Sequence, residues 1–391
     1  MSTENTPRGT VAAGYESVRE EFAAVAAAEG GDYAAQLVAH VGGQRVVDLW
    51  TGPEFTGSTL TGVFSATKGA AYLVVALLVQ DGVLDLDQRV SHYWPEFGAE
   101  GKQDITLRDL LAHRAGLVGA DEGFSLDELA DDLVIAERLA AQRPYWRPGT
   151  AFGYHALVIG ALVGEVVRRA TGQTLHEVFE TRVRTPYDLD FYLGLPDEQE
   201  ARFRTTLPMQ PTSAQLAEAE PDAAAAPDSV PGVAVNRHHP EAVALTELPN
   251  HRVVRAKGQA SAGGVASARG LAGMYAAVIS EVDGRAPLLK PDTAATFAQL
   301  HSVGYDVVYR AHKVYGLGFV LPDNIYPVLG QGAFGHGGAA GAQAFADPRS
   351  GLAYGYNRRR VAFPGGAAPE NDRLVRAVHA AAVAQDSGAL R

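Results

Sequence analysis

Residues 64–80 read FSATKGAAYLVVALLVQ, and the fold turns on how this stretch is taken. Ser65 and Lys68 stand three apart at the head of a run that is apolar from Gly69 to Val79. That run is about half the roughly 20 residues a membrane-spanning helix needs, so it reads as a helix buried on all sides in a protein core. Residues three apart on a helix face the same way, which brings the Ser65 hydroxyl and the Lys68 amine together. The Ser65 N–H then lies at a helix N-terminus, where the dipole favours developing negative charge. A lysine entering an apolar interface is desolvated, its pKa falls from about 10.4, and it can accept a proton. The same four residues also describe a Ser N-cap followed by a solvated Lys. The tetrad alone does not decide between them.

Upstream, residues 14–29 place apolar groups at helical spacing and end in Gly-Gly, a helix with a C-terminal stop. QLVAHV (36–41) and RVVDLW (45–50) flank Gly42-Gly43 and read as a hairpin. Downstream, from Asp85 to about Gly194 the pattern is helical, clearest in TLRDLLAHRAGL (106–117), LDELADDLVIAERLAAQ (126–142) and ALVIGALVGEVVRRATG (156–172). Residues 213–232 are low in complexity and hold three prolines, which predicts a mobile surface loop. VYGLGFVL (314–321), AGAQAFAD (340–347) and GLAYGYNRR (351–359), around an Asp347-to-Gly351 turn, predict about three antiparallel strands. A last helix covers roughly 370–385.

Strands at both ends with helices between predict an α+β fold, an antiparallel sheet flanked by helices. Residues 1–85 plus 250–391 form a discontinuous α/β domain, and 86–249 an inserted, mostly helical one, with the active site at their junction. The chain has 391 residues, a two-domain length, and its 47% apolar content suffices for a sizeable core. Thirty-three Lys and Arg against 45 Asp and Glu leave a net charge of −12. Phosphate backbones and anionic lipid repel such a chain, which argues against nucleic-acid and membrane-surface partners. The absence of cysteine excludes disulfides, a Cys nucleophile, thiolate zinc sites and iron–sulfur clusters. MSTENTPRGT shows no apolar segment behind a basic start, so no secretory leader is visible and a cytoplasmic protein is expected.

Two further stretches can carry chemistry. Gly153-Tyr154-His155 precedes a long amphipathic helix, and a tyrosine at such a junction can serve as general acid or base. Its ordinary alternative is a packed ring with a solvated hydroxyl. Phe334-Gly335-His336-Gly337-Gly338 stands just before a strand, where glycines let a substrate approach the backbone and a following N–H can face an oxyanion. The alternative there is a turn with an incidental histidine. Other signals are weaker. His176-Glu177 opens like a zinc-protease helix but lacks the second histidine, and His238-His239 has no third ligand at useful spacing. No Gly-x-Gly-x-x-Gly follows a strand, and no Walker loop or Gly-x-Ser-x-Gly elbow is present. Phe124, Trp146 and Tyr187 are retained as pocket-wall candidates.

Taken in order, Ser65-x-x-Lys68, a Tyr about 90 residues on and a His-Gly-Gly near the C-terminus resemble the serine β-lactamase and penicillin-binding-protein superfamily. ITLRDLLAHRAGL, WRPGTAFGYHALVIGALVGEVVRRATG and YGLGF resemble stretches of its class C-like branch. The pairing of GYHAL with FGHGG looks most like the family VIII carboxylesterases, the group that includes ethyl chrysanthemate esterase. The resemblance runs from about residue 12 to 385 and implies a β-lactamase/transpeptidase-like fold.

It also implies roles. Ser65 is the acylated nucleophile and Lys68 its proton acceptor. Tyr154 shuttles the proton to the leaving alcohol and later activates water, and His336 stands where the family has the Lys of Lys-Thr-Gly. The oxyanion hole is the N–H groups of Ser65 and Ala339, with His155, Gly337 and Gly338 beside the substrate. Two departures matter: Tyr-x-Asn appears as Tyr154-His155-Ala156, and His336 replaces Lys. Both point away from peptide- or β-lactam-like substrates and toward plain small or short-chain esters. No cofactor or metal is implied. The partner is a small-molecule ester, and a homo-oligomer stays open. An amidase or D-aminopeptidase, an acyltransferase and a weak β-lactamase share the chemistry, and a non-catalytic ligand sensor shares the fold.

Overall fold

The computed structural model describes residues 6–218 and 225–389. Met1–Asn5, part of the segment expected to lack a leader, and residues 219–224 of the predicted loop lie outside the described residues. The chain opens with β1 (Arg8–Val11), a helix (Glu16–Glu29) and the hairpin β2 (Ala35–Val41) and β3 (Gln44–Thr51). Gly42 and Gly43 turn that hairpin at φ 56 and 81°, conformations that only glycine adopts without steric cost. The short β4 (Thr61–Gly62) leads into a tight turn, Phe64–Ala66, and the helix Thr67–Gln80. Every residue of that helix from Thr67 to Leu78 is buried, as a segment without a polar face requires.

Helices fill much of the middle of the chain, among them Leu107–Leu111, Asp132–Ala141 and Ile159–Thr171. The short strands β5 (Phe191–Tyr192) and β6 (Val265–Ala266) join β4 in a small sheet before the helix Ala268–Ile279. A hairpin, β7 (Ser302–Asp306) and β8 (Ala311–Tyr315), precedes β9 (Phe334–Gly337), β10 (Gln343–Asp347), β11 (Leu352–Arg358) and a closing helix, Asn371–Ala389.

The main sheet runs β1-β3-β2-β11-β10-β9, antiparallel throughout, so the two ends of the chain meet at β2 and β11. Leu352, Tyr354 and Tyr356 alternate onto one face, packed with Phe22 of the first long helix and Leu374 and Val378 of the last. On the opposite face, a Cβ at Gly355 would lie 2.6 Å from the Ala268 carbonyl and the Ala272 nitrogen. The helix Ala268–Ile279 therefore seats directly on backbone. This is the α+β arrangement the sequence predicts, with helices on both faces of an antiparallel sheet.

Some expectations need correction. The 106–117 helix stops at Leu111, because His113 and Gly116 take left-handed φ values of 59 and 79°. The 126–142 helix breaks in two, and the Asp131 carboxylate caps the second half by accepting the N–H groups of Leu133 and Val134. Residues 316–321 are not strand: β8 ends at Tyr315 and pairs with β7. Phe334–Gly337 is itself a strand rather than a turn before one. Within 213–232, Ser213–Glu218 is helical, and Val230–Ala234 forms a short helix capped by the Ser229 hydroxyl, with Val233 and Ala234 buried. That end of the stretch is packed, not a mobile surface loop. Among the described residues no helix is long and apolar enough to cross a membrane.

Candidate active site

The Ser65 turn is strained at its entrance. Phe64 takes φ 48°, which for a bulky L-residue is sterically costly, and its ring is held by packing on Ala340 and Val361, with Ala339 against it. This anchors the turn to the segment following β9 and leaves Ser65 half-buried. Three residues on, Lys68 is wholly buried and its Nζ lies 3.1 Å from Ser65 Oγ. The same nitrogen donates to the Ala156 carbonyl at 2.6 Å and the Ser261 carbonyl at 2.9 Å. None of the ion pairs among the described residues includes Lys68, and burial pushes its pKa well below the usual lysine value. A neutral amine has two N–H groups, which match the two carbonyls, and a lone pair, which then faces the serine hydroxyl.

Tyr154 sits in the loop before the helix Ile159–Thr171, 4% exposed, its ring 4.8 Å below Lys68 Nζ. Its hydroxyl reaches Ser65 on one side and lies 3.4 Å from His336 Nε2 on the other. Burial first, then the neighbouring Tyr309, Tyr72 and Asp306, raise the phenol's pKa well above the ordinary value, so it rests protonated. His336, on β9, is buried, and desolvation with the charge of Lys68 lowers it to about 3. Its Nδ1 is 2.7 Å from the Gly337 carbonyl. The site therefore pairs a buried amine held toward neutrality with a protonated phenol and a neutral imidazole around one hydroxyl. This is an arrangement for moving a proton.

Among the described residues neither the Ser65 nor the Ala339 N–H has a hydrogen-bond acceptor, whereas the adjoining Gly338 N–H donates to the Ala342 carbonyl at 2.8 Å. Unspent donors at these two positions are what an oxyanion hole needs. The glycines before Ala339 have a different reason from the one expected. A Cβ at Gly338 would lie 2.3 Å from the Val63 carbonyl, and one at Gly335 would lie 2.2 Å from the Ala344 carbonyl. Both admit protein backbone rather than a substrate. At Gly337 a Cβ would meet the Gln343 side chain at 3.0 Å and Ala367 at 3.3 Å.

The remaining candidates lie away from the chemistry. The His155 ring is fully buried; its Nδ1–H donates to the Gly153 carbonyl at 2.8 Å and its Nε2 accepts the Leu117 N–H at 3.2 Å, which leaves no nitrogen for a substrate. Phe124 is buried beneath the Arg138 guanidinium, and the Asn236 amide holds its backbone at both ends. Trp146 is half-buried under the tyrosine loop, bonded through Nε1 to the Ala151 carbonyl and packed on His155. Tyr187 lines a separate cleft with His40, Arg45 and Arg269. His176 and His238 each donate through Nε2 to a carbonyl, of Gly258 and Ala120.

Two residues the sequence did not single out hold the tyrosine loop. His113, buried, accepts the Gly153 N–H at its carbonyl and the His155 N–H at Nδ1. Asp306, buried at the end of β7, accepts the Tyr154 N–H. His113 lay inside a segment read as helix, and a single aspartate carries no signal of its own.

A family model described as Beta-lactamase matches residues 22–377. Over 342 residues the chain is 31% identical to Esterase/beta-lactamase LipL of Mycobacterium tuberculosis, covering 84% of this chain and 77% of LipL. The solved structure of EstA from Arthrobacter nitroguajacolicus is 42% identical, with a TM-score of 0.88 over 96% of this chain and 98% of that one. A family VIII carboxylesterase matches with a TM-score of 0.83 at 31% identity, over 96% of this chain and 99% of its own.

Proposed function

The chain belongs to the beta-lactamase family, and we propose that within it the protein is a serine carboxylesterase that cleaves small or short-chain carboxylic esters. The observation that carries this is Lys68 Nζ at 3.1 Å from Ser65 Oγ, buried and without an anionic partner. Lys68 takes the Ser65 proton as Oγ attacks the ester carbonyl, and the N–H groups of Ser65 and Ala339 receive the oxyanion. Tyr154 passes its proton to the departing alkoxide and is reprotonated from Lys68, which leaves the acyl group on Ser65 and releases the alcohol. A water molecule then repeats the sequence on the acyl-enzyme, giving up a proton through Tyr154 and Lys68 and releasing the carboxylic acid.

The names of LipL, with "esterase" in it, and of the family VIII carboxylesterase support the ester reading. So does the site itself. Ala156 offers only its carbonyl, already taken by Lys68, and no side-chain amide to grip an amide substrate. A neutral His336 supplies no cation to hold the carboxylate of a β-lactam. Matched substrates test this: p-nitrophenyl butyrate should exceed the corresponding p-nitroanilide and a chromogenic cephalosporin in kcat/KM by at least about 100-fold, that is about 2.7 kcal/mol of transition-state discrimination. Equal or higher rates on the anilide would move the assignment to an amidase.

A further inference from the structure

All three amides of Gly153-Tyr154-His155 are spent on fixed partners. The Gly153 N–H donates to the His113 carbonyl at 3.1 Å and the His155 N–H to His113 Nδ1 at 3.2 Å. The central one, of Tyr154, donates to Asp306, 3.1 Å from Oδ2 and 3.3 Å from Oδ1. Asp306 is fully buried, and none of the ion pairs among the described residues includes it. Its oxygens take three further donors: the N–H groups of Val308 and Tyr309 at Oδ1, both at 2.8 Å, and the Tyr315 hydroxyl at Oδ2, at 2.9 Å. Hydrogen bonds alone thus keep a charge in the interior, an expensive arrangement for closing a hairpin that Asn or Ser closes elsewhere.

The same hairpin covers the tyrosine. Tyr309 lies against the Tyr154 ring at 5.3 Å between centroids, and Tyr315 stacks on it at 6.1 Å with planes 4° apart. One carboxylate therefore fixes the catalytic residue's backbone and the two rings that enclose its phenol. We propose that Asp306 is a positioning residue for Tyr154, clamping it to the β7–β8 hairpin and supplying the fixed negative charge beside which its phenol works. This rests on the esterase reading above.

The groups facing that phenol are Lys68 and Tyr72 from the buried helix, Ser65 from the turn before it, His113 from the loop after Leu107–Leu111, His336 from β9, and Tyr309, Tyr315 and Asp306 from the hairpin. Asp306 is the carboxylate in this set, and its charge favours the protonated phenol, as it does for Tyr309 and Tyr315.

The test is Asp306→Asn, which keeps the size and one acceptor oxygen, assayed with p-nitrophenyl acetate. We expect kcat to fall about tenfold or more with KM within about twofold, since small displacements of a catalytic group cost this much. The alkaline limb of kcat/KM should move toward lower pH by about one unit as the stabilising charge is lost. In a Tyr154→Phe background the same substitution should add almost no further loss. An unmoved alkaline limb with the same loss in both backgrounds would reduce Asp306 to scaffolding. If Asp306→Asn does not fold, Tyr315→Phe removes one donor and keeps the charge: several-fold lower kcat at unchanged KM supports the clamp, and unchanged kcat overturns it. Wild type without Ser65-dependent turnover would sink the esterase reading, whereas normal wild type beside an unaffected Asp306→Asn would sink this inference alone.

Discussion

The Tyr154 hydroxyl stands 3.4 Å from His336 Nε2, while Nδ1 of the same ring stands 2.7 Å from the Gly337 carbonyl. A carbonyl only accepts, so Nδ1 carries the ring proton and Nε2 turns a lone pair to the phenol. His336 thereby orients the tyrosine's O–H, and at a pKa of about 3 it stays neutral across any working pH. His336→Phe should lower kcat about tenfold, and His336→Gln less, because its amide oxygen can accept the same O–H. Neither should move the acid limb of kcat/KM. A pH–rate profile in which that limb shifts with either substitution would make His336 a titrating base instead.

The proposed mechanism assigns the acid limb to Lys68, whose burial also bears on stability. The unfolded chain holds the lysine proton up to about pH 10.4, and the folded chain gives it up at lower pH. Between the two values the unfolded state binds more protons, so stability rises with pH. Lys68→Met removes this term and orphans two carbonyls, whose cost does not depend on pH. The melting temperature of the variant relative to wild type should therefore climb as pH is lowered from 9 to 6, while kcat/KM falls at least about 1,000-fold. A pH-independent difference would mean that Lys68 stays charged when folded.

His155 is expected to act on stability rather than on substrate. His155→Ala orphans the Leu117 N–H and the Gly153 carbonyl, both buried, at roughly 2–4 kcal/mol together. Folding lowers this histidine to about 4, so its own contribution to stability is complete above about pH 6.5 and lost as pH falls toward 4. The gap in melting temperature between wild type and variant should accordingly narrow on acidification. A tenfold rise in KM at unchanged melting temperature would instead make it a substrate contact.

Gly338 probes the backbone under Ser65. A methyl group there would meet the Val63 carbonyl at 2.3 Å, two residues from Ser65, and neither partner is a flexible side chain. Gly338→Ala should cost about 100-fold in kcat with little change in far-ultraviolet circular dichroism. Activity within about twofold of wild type would show that the turn gives way freely.

Elements came through in the sequence where burial and periodicity agreed. The helix Thr67–Gln80 lacks a polar face because it has no wet side, and β2 and β3 are β-rich runs on either side of two glycines that the turn needs. The hairpin β7–β8 inverts the rule. Ser302 and Asp306 point inward, while Val303 and Tyr305 are 54% and 61% exposed, so its alternation reads backwards. β9 hides for another reason: two of its four residues are glycines, poor strand formers, and at Gly335 the Ala344 carbonyl leaves no room for a Cβ. At the site, the spacing of Ser65 and Lys68 sufficed to bring their atoms within 3.1 Å. His113 acts through the amides of Gly153 and His155, 40 and 42 positions away, and Asp306 through that of Tyr154, 152 positions away, a dependence that appears only once the chain is folded.

The central claim is acyl-enzyme chemistry on Ser65, and the most direct measurement is stopped-flow release of p-nitrophenol from p-nitrophenyl acetate by wild type and Ser65→Ala, with intact-protein mass spectrometry of the quenched samples. The account predicts a stoichiometric burst followed by steady turnover, an acetyl adduct in wild type, and neither in a folded Ser65→Ala protein. An equal burst in Ser65→Ala, or wild-type turnover that never places an acetyl group on Ser65, would contradict it.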